Sequence, residues 1–269
     1  MGSKTAIEWC DATWNPVTGC LHGCEYCYAR RIAERFAGGG YGIENGMFVA
    51  KYKEDAFQPP FVLDNEQMTK TKDNWYRKAP YPFGFQPTFH RYRLDKPKHW
   101  TKPRTIFVCS MADLFGEWVP DSWIAEVFKA CEAAPQHRYL FLTKNPGRYI
   151  QIAEKDMLPR KHWYGYTATK ENELWRFHHA NECPCINLFV SIEPILGPIQ
   201  ACFSTHCPAD WIIIGAETGN RKGKIEPEEA WIDYIVSECS YSGRPVFMKN
   251  SLIPIVGEQN MIRKLPWEG

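Results

Sequence analysis

Short runs of β-branched and aromatic residues recur along the chain, and amphipathic segments separate several of them. The runs that predict strands lie at 105–109, 138–142, 162–169, 186–194, 210–218 and 244–250, with a first strand near 9–14. Ile124, Val127, Phe128 and Cys131 recur at i, i+3, i+4 and i+7, a spacing that predicts one buried helix face. Because strands that alternate with helices favour a parallel sheet with helical crossovers, we predict an α/β fold with parallel strands, a partial or full (β/α) barrel.

Polar residues follow these strands at their carboxyl ends, where the chemistry of (β/α) barrels is located. They are Ser110, Asp113, Thr143, Lys144, Thr167, Thr169, Ser191, Glu193, Glu217 and Lys249. Together they predict the rim of an active site. Other roles stay open, since Ser and Thr at such positions also cap the next helix. Glu193 could pair with Lys144 or Lys249, and Glu217 could pair with Lys249.

The segment 38–104 interrupts the alternation of strands and helices. It has no clear periodicity and is rich in aromatic residues, and from Lys70 to Arg104 it has ten Lys or Arg against two acids, an excess of +8. We predict that 38–104 is an insertion after the first βα unit, packed over the barrel mouth, within a single domain of residues 1–269. Cations interleaved with aromatic rings suit a phosphate backbone with stacked bases. The alternative is a lid whose charges only face water.

Composition narrows the class of protein. The chain has 269 residues, a formal net charge of +1 and 44% hydrophobic residues, as expected for a globular α/β protein. Its overall charge is too small to attract DNA or a membrane surface. No early apolar run resembles a signal peptide or membrane span, so we expect a cytoplasmic protein with no membrane partner. Thiols stay reduced in that compartment, and the eleven cysteines are therefore expected to be ligands or buried side chains rather than disulfides.

Three of these cysteines stand within eight residues, at Cys20, Cys24 and Cys27, in the spacing C-x3-C-x2-C. Nearby glycines predict a loop wrapped around a ligand. The three thiols could form a zinc site with His22 as the fourth ligand, remain as buried thiols, or bind a [4Fe–4S] cluster that lacks one protein ligand. The missing fourth cysteine favours the cluster.

A second cysteine group comprises Cys183, Cys185, Cys202 and Cys207, with His206 nearby. These residues could hold an auxiliary cluster or zinc, or they could be small buried side chains. The sequence leaves this choice open.

The cysteine spacing, with the aromatic Tyr26 just before the last cysteine, resembles that of the radical S-adenosylmethionine (SAM) superfamily, whose barrel has its cysteine loop directly after the first strand. The segments "TWNPVTGC", "SMADLF", "FLTKNPGRY", "SIEPILGPI", "DWIIIGAETG" and "PVFMKN" resemble the phage-encoded three-cysteine-motif family, a group of radical-SAM-like proteins found in phages and bacteria. The resemblance covers about 7–250. Cys10 and Cys109 stand where that family suggests Thr and Asn, and we predict that both are packing residues.

The resemblance implies a specific chemistry and a set of ligand contacts. A [4Fe–4S] cluster on the three cysteines would bind SAM, and one electron from a flavodoxin- or ferredoxin-like donor would cleave it to methionine and a 5′-deoxyadenosyl radical. The radical would then abstract a hydrogen atom from the substrate. The cofactor contacts implied are Tyr26 at the adenine, Ser110 and Asp113 at the amino group, Lys144 at the carboxylate, and Thr167, Ser191 and Glu193 at the ribose.

Glu217 and Lys249 remain as candidate substrate contacts. The phage setting of the family and the basic, aromatic insertion favour a nucleotide or nucleic acid as the substrate, in a modification or repair reaction. The alternative, from a different functional class, is a non-catalytic iron–sulfur or zinc binding module that acts with a partner protein.

Overall fold

The computed structural model describes residues 5–37, 41–44, 47–50, 60–70, 73–173, 187–200, 202–203, 207 and 209–268. The chain forms two compact units. Unit 1 comprises Met1–Ala12, Pro103–Phe107 and Gln136–Gly269, and unit 2 comprises Thr13–Lys102 and Val108–Pro135. No described helix is both long and apolar enough to span a lipid bilayer.

Short strands are the commonest regular element of the chain. In chain order they are β1 (Ala12–Trp14), β2 (Val17–Thr18), β3 (Tyr41–Glu44), β4 (Met47–Ala50), β5 (Phe61–Leu63), β6 (Met68–Lys70), β7 (Tyr76–Lys78), β8 (Thr88–His90), β9 (Thr105–Val108), β10 (Arg138–Thr143), β11 (Trp163–Ala168), β12 (Asn187–Ile192), β13 (Trp211–Ile214) and β14 (Val246–Met248). Among the described residues, the α-helices are α1 (Tyr28–Phe36), α2 (Asp121–Glu132), α3 (Gly147–Glu154), α4 (Glu229–Tyr241) and α5 (Ile253–Val256). Short 3-10 helices occur at Arg91–Arg93, Lys96–His99, Glu171–Glu173, Asn250–Leu252 and Glu258–Asn260.

Seven strands form one parallel sheet in the order β1-β9-β10-β11-β12-β13-β14, which is also their order in the chain. The α/β class with parallel strands is therefore confirmed. Among the described strands, β1 and β14 lie at opposite edges of the sheet, which corresponds to the partial form of the predicted barrel.

The strands β10 to β14 place different side chains on the two faces of the sheet. Tyr166, Val190, Ile212 and Val246 are aligned in register, and they belong to an apolar cluster that includes the buried side of α4. The opposite face carries a second cluster, made mainly of aromatic side chains. Its buried members are Trp9, Phe107, Leu140, Phe189, Trp211, Ile213 and Phe247. Both faces are thus apolar, as expected of a parallel sheet.

Unit 2 contains most of the segment in which the sequence shows no periodicity. There β2, β8 and β5 form a small mixed sheet, whereas β3 pairs with β4 and β6 pairs with β7 as antiparallel hairpins. The irregular insertion that the sequence predicts is therefore partly regular. The sequence did not indicate this because strands of two to four residues are too short to show an alternation of apolar and polar side chains.

Aromatic packing accounts for many of the rings in this segment. The Phe61 and Phe83 rings stack with centroids 3.9 Å apart, and Phe89 stacks on Trp123 of α2 at 5.1 Å. Such contacts add about 0.5–1.5 kcal/mol per pair to the free energy gained by burying the rings. They indicate that these rings are a core of unit 2.

His90, in β8, makes the stability of unit 2 sensitive to acid. Its side chain is fully buried, and its Nε2 lies 2.8 Å from the hydroxyl of Thr18 in β2. Burial, assisted by the charge of Arg93, lowers the pKa of His90 from 6.5 to about 2. Below pH 6.5 the unfolded chain therefore binds a proton that the folded chain does not, so stability falls as the pH falls.

We expect the free energy of unfolding to lose about 1.4 kcal/mol per pH unit at this site below pH 6.5. The substitution His90→Gln should remove this contribution, and urea unfolding of both proteins between pH 7 and 4.5 measures it. Equal pH slopes for the wild type and the variant would contradict the assignment.

Candidate functional site

The three clustered cysteines lie on a loop of residues 19–27, here called the cysteine loop, which connects β2 to α1. Two backbone hydrogen bonds hold its start, from Gly19 N–H to Met111 O at 2.9 Å and from Cys20 N–H to Phe85 O at 3.2 Å. Gly19 has φ +88°, and a Cβ built on it would lie 2.2 Å from the carbonyl oxygen of Gln86. Only glycine fits at this close approach of two backbones.

The end of the cysteine loop is folded onto the first helix. Cys27 N–H donates to Cys24 O at 3.2 Å, which closes a turn between the two cysteines. The Cys27 sulfur accepts a hydrogen bond from Arg30 N–H at 3.3 Å, as the N-cap of α1. Cys20, Cys24 and Cys27 are all half-buried. The thiols are therefore shielded but still accessible to a ligand.

The three thiols are also electrostatic neighbours. Burial raises the pKa of the Cys20 thiol to about 12, although a backbone hydrogen bond at His22 acts in the opposite direction. The charges of Asp113, Cys24 and Cys27 raise this pKa further. Each of these groups therefore lies close enough to Cys20 to influence the charge on its sulfur.

The donor set can be compared with what metal centres require. Three thiols match the ligands of an iron–sulfur cluster in kind and fall one short of its usual four. A structural zinc ion needs four protein ligands. Within the described ranges, no group of three or more His, Cys, Asp or Glu side chains is arranged so that it could hold a metal ion. The three thiols are thus of the kind that ligates an iron–sulfur cluster, but in the described ranges they do not have the arrangement of a metal site.

The segment after β9 lies against the cysteine loop and carries Asp113. One carboxylate oxygen of Asp113 is 2.7 Å from His22 Nε2, and the other accepts the N–H of Phe115 at 3.0 Å. The Trp118 ring packs edge-on against the His22 ring, with centroids 4.9 Å apart. This pair, half-buried at His22 and buried at Asp113, fastens the middle of the cysteine loop to the segment that follows β9.

Ser110 is held in the same segment. Its hydroxyl donates to Asn15 Oδ1 at 3.2 Å, and its carbonyl oxygen accepts the hydroxyl of Tyr28 at 2.8 Å. Asn15 Oδ1 also accepts the N–H of Met111 at 3.0 Å. Unit 2 therefore brings the predicted residues Ser110 and Asp113 next to the three cysteines, together with the half-buried Tyr26.

The sequence reasoning did not assign a role to Asn15 or Tyr28, and it considered His22 only as a zinc ligand. The pattern "WNP" before the cysteines is the only signal that could have drawn attention to Asn15. Its amide connects residues more than 90 positions apart, and no local periodicity reports such a contact.

Unit 1 carries the other predicted residues, at the carboxyl ends of its strands. Thr167 of β11 is in register with Ser191 of β12, on the face of the sheet that bears the aromatic cluster, and both are buried. Lys144 directly follows β10 and is half-buried. Two hydroxyls and an ammonium group therefore follow the apolar part of these strands.

Thr143 and Thr169 bind locally instead. The Thr143 hydroxyl accepts the N–H of Asn145 at 2.9 Å, just before α3. The hydroxyl and the N–H of Thr169 both donate to Glu173 Oε2 at 2.7 Å. These two threonines therefore stabilise the loops after their strands, as expected of capping residues.

Glu193 and Lys249 form an ion pair across β13. They follow β12 and β14, and Lys249 Nζ donates to Glu193 Oε1. A Cβ on Gly215, at the end of the intervening strand, would lie 3.2 Å from Lys249 Cδ and 3.3 Å from Glu193 Cγ. The missing side chain of Gly215 gives the pair its room.

The environment of Lys249 favours its charged form. Burial by itself would lower the pKa of Lys249, but the charge and the hydrogen bond of Glu193 more than offset this effect. The charge of Glu8 also acts to raise it, and the pKa of Lys249 is raised above its ordinary value of 10.5. Burial raises the pKa of Cys10 to about 12. The ammonium group is therefore a fixed charge beside a neutral thiol at physiological pH.

Glu217 has a different partner from the one that the sequence suggested. Its carboxylate is almost fully buried and receives two hydrogen bonds from Arg221, each 2.8 Å long. The suggested pairing of Glu217 with Lys249 is wrong, because Lys249 is bound to Glu193. A guanidinium group fits both carboxylate oxygens in one plane, which favours Arg221 at a buried carboxylate.

Among the remaining cysteines that the structure describes, Cys109 and Cys207 are buried. Cys109 is buried after β9, with φ +59°, a backbone conformation in which Asn is commoner than Cys. Cys207 is buried with its sulfur 3.8 Å from the Tyr166 hydroxyl, and Cys202 is half-buried. Cys183, Cys185 and His206, the other members of the second cysteine group, lie outside the described residues.

Comparison with curated proteins and with solved structures returned no match. A family model described as "Protein of unknown function (DUF5131)" matches residues 4–252, which is most of the chain and includes both the cysteine loop and the strand ends of unit 1. The chain therefore belongs to the DUF5131 family.

Proposed function

We propose that this protein is a radical SAM enzyme in which Cys20, Cys24 and Cys27 hold a [4Fe–4S] cluster. The observation that carries the proposal is the placement of three half-buried, electrostatically coupled thiols on one short loop that directly precedes a helix. Three thiolates leave one iron of such a cluster without a protein ligand, so that iron can bind the amino and carboxylate groups of SAM.

The bound cluster and SAM supply the difficult chemistry: an electron from a flavodoxin- or ferredoxin-like donor cleaves SAM to methionine and a 5′-deoxyadenosyl radical. The protein contributes binding and orientation. In unit 2, Asp113 and Asn15 fix the cysteine loop and the segment after β9 through hydrogen bonds. The hydroxyls of Thr167 and Ser191 are donors suited to a ribose, and the Lys144 ammonium group suits a carboxylate.

The substrate class that we favour is a nucleotide or nucleic acid, in a modification or repair reaction. Its support is the basic, aromatic composition of the segment between α1 and β9, because cations bind phosphates and aromatic rings stack on bases. Since an oxygen-sensitive cluster is best kept in a reducing compartment, a cytoplasmic location fits the proposal.

Reductive cleavage of SAM is the experiment that tests the proposal. We expect protein reconstituted with iron and sulfide under anaerobic conditions to release 5′-deoxyadenosine and methionine in equal amounts when SAM and dithionite are added. Chromatography measures both products, and a sample without dithionite is the control. Iron-loaded protein that yields no 5′-deoxyadenosine would refute the enzymatic assignment.

His22 supports a second candidate, a zinc binding module that acts with a partner protein. Metal-bound histidines commonly donate their other ring N–H to a carboxylate, and His22 makes such a contact with Asp113. If His22 is a ligand, His22→Gln should lose zinc from anaerobically purified protein. If the cluster assignment is right, the purified protein contains iron, and His22→Gln retains it.

A further inference from the structure

Among the described aromatic residues of the basic segment (70–104), only Trp75 and Tyr76 are exposed, and the others are buried or half-buried. Phe83 and Phe89 are buried, whereas Trp75 is 76% exposed and Tyr76 is 55% exposed. The exposed pair lies on the hairpin formed by β6 and β7, here called the β6–β7 hairpin (68–70 and 73–78). Both exposed rings are therefore accessible to a ligand that stacks on aromatic faces.

The cations of this segment differ in whether they form ion pairs within the protein. Arg91 is bound to Asp64 at 2.7 Å and to Glu126 at 3.0 Å, so its charge is neutralised within the protein. Lys78, at the end of the hairpin, forms an exposed ion pair with Glu66 at 2.9 Å. Arg77, next to the exposed rings, is itself exposed, and its side chain forms no ion pair with a described residue. Arg77 is therefore well placed to meet a phosphate.

A cavity of about 340 Å³ adjoins the base of the hairpin. Arg77, Lys78 and Arg93 line it together with Phe36 and Tyr92, and Glu66 is the one acid among its lining residues. Three cations against one carboxylate give the lining a net charge of +2. The volume is at the lower end of the range for small-ligand sites, which suits one nucleotide unit.

We propose that the β6–β7 hairpin and this cavity bind single-stranded nucleic acid. Unpaired bases stack on Trp75 and Tyr76, and the backbone phosphates lie against Arg77. A duplex is disfavoured because its base faces are already covered by neighbouring bases. This nucleic acid would be the substrate of the proposed enzyme. Only that role rests on the proposed function, since the binding itself requires no cluster.

Fluorescence anisotropy with labelled oligothymidine and oligouridine of about 16 nucleotides tests this surface. We expect Trp75→Ala and Tyr76→Ala each to weaken binding about 5- to 100-fold, which corresponds to the loss of one stacked base. Trp75→Phe keeps an aromatic ring and should bind nearly as tightly as the wild type. Tyr241→Ala removes an exposed aromatic ring of unit 1, 84% exposed, and should leave the affinity unchanged.

Salt dependence adds a second readout. Arg77→Ala should reduce the slope of log Kd against log salt concentration by about 0.7, the value for one phosphate contact on a single strand. Preference for the DNA or the RNA oligonucleotide identifies the strand, and either preference supports the proposal. Unchanged affinity in Trp75→Ala, tighter binding of a duplex of the same sequence, or no binding of either oligonucleotide would overturn it.

The same variants separate this inference from the enzymatic proposal. SAM cleavage without substrate depends on the cysteine loop and should be unaltered in Trp75→Ala. Failure of oligonucleotide binding with intact SAM cleavage would refute only the hairpin assignment. The reverse result would refute only the enzymatic one.

Discussion

Cys24→Ala is expected to abolish both the brown absorbance of the iron–sulfur cluster and the formation of 5′-deoxyadenosine. Only two thiolates, Cys20 and Cys27, would remain on the loop, and two ligands cannot hold a cluster that already lacks its fourth. Absorption spectra, iron and sulfide content, and product chromatography measure the loss. The expected effect is complete, because under the proposed function the reductive step takes place at this cluster.

Cys10→Ala is the matched control for this substitution. Cys10 is also half-buried, but its thiol lies in unit 1, where it donates to the carbonyl oxygen of Ile7 at 3.8 Å. We expect this variant to keep its iron and its 5′-deoxyadenosine formation. Product formation by Cys24→Ala at the wild-type level would rule out the three-cysteine cluster.

Gly19→Ala is expected to lower the free energy of unfolding by about 3–5 kcal/mol, the largest stability change predicted here. The fold holds position 19 at φ +88°, a left-handed conformation that an added methyl group makes unfavourable, and the methyl group would also lie 2.2 Å from the carbonyl oxygen of Gln86. Since backbone atoms form this contact, rotation of a side chain cannot relieve it. Urea unfolding measures the change.

Gly23→Ala separates the cost of the left-handed conformation from the cost of the contact with Gln86. Gly23 also has a left-handed φ, +71°, but nothing lies within 4 Å of a Cβ built there. Only the conformational cost remains, and we expect a loss of about 1 kcal/mol. Equal losses for the two variants would show that the cysteine loop does not pack against Gln86.

The sequence predicted the parallel sheet well because its strands combine β-branched or aromatic residues with polar residues at or shortly after their carboxyl ends. The same reasoning missed β2 to β8, since an alternation cannot be recognised in so few residues. Their pairing also depends on distant segments, such as β5 with β8 and β2 with β8. Local pattern therefore predicts the long elements, and tertiary contacts decide the short ones.

The candidate site shows the same division. The cysteine motif and the polar strand ends could be read directly, because their residue types and positions carry the chemistry. Most of the partners of those residues could not be predicted: His22 meets Asp113 across 91 positions. The pairing of Glu193 with Lys249, across 56 positions, was one of the two alternatives that the sequence offered, and it is confirmed. The pairing of Arg221 with Glu217 was also not predicted. The two residues are four positions apart, a spacing that pairs side chains on a helix, but both lie in a loop.

Analysis of the metal and sulfide in anaerobically purified wild-type protein tests the central claim most directly. The account predicts a brown protein with about four iron and four sulfide ions per chain, whose reduced electron paramagnetic resonance signal changes when SAM is added. Colourless protein that contains zinc, or no metal at all, would contradict it.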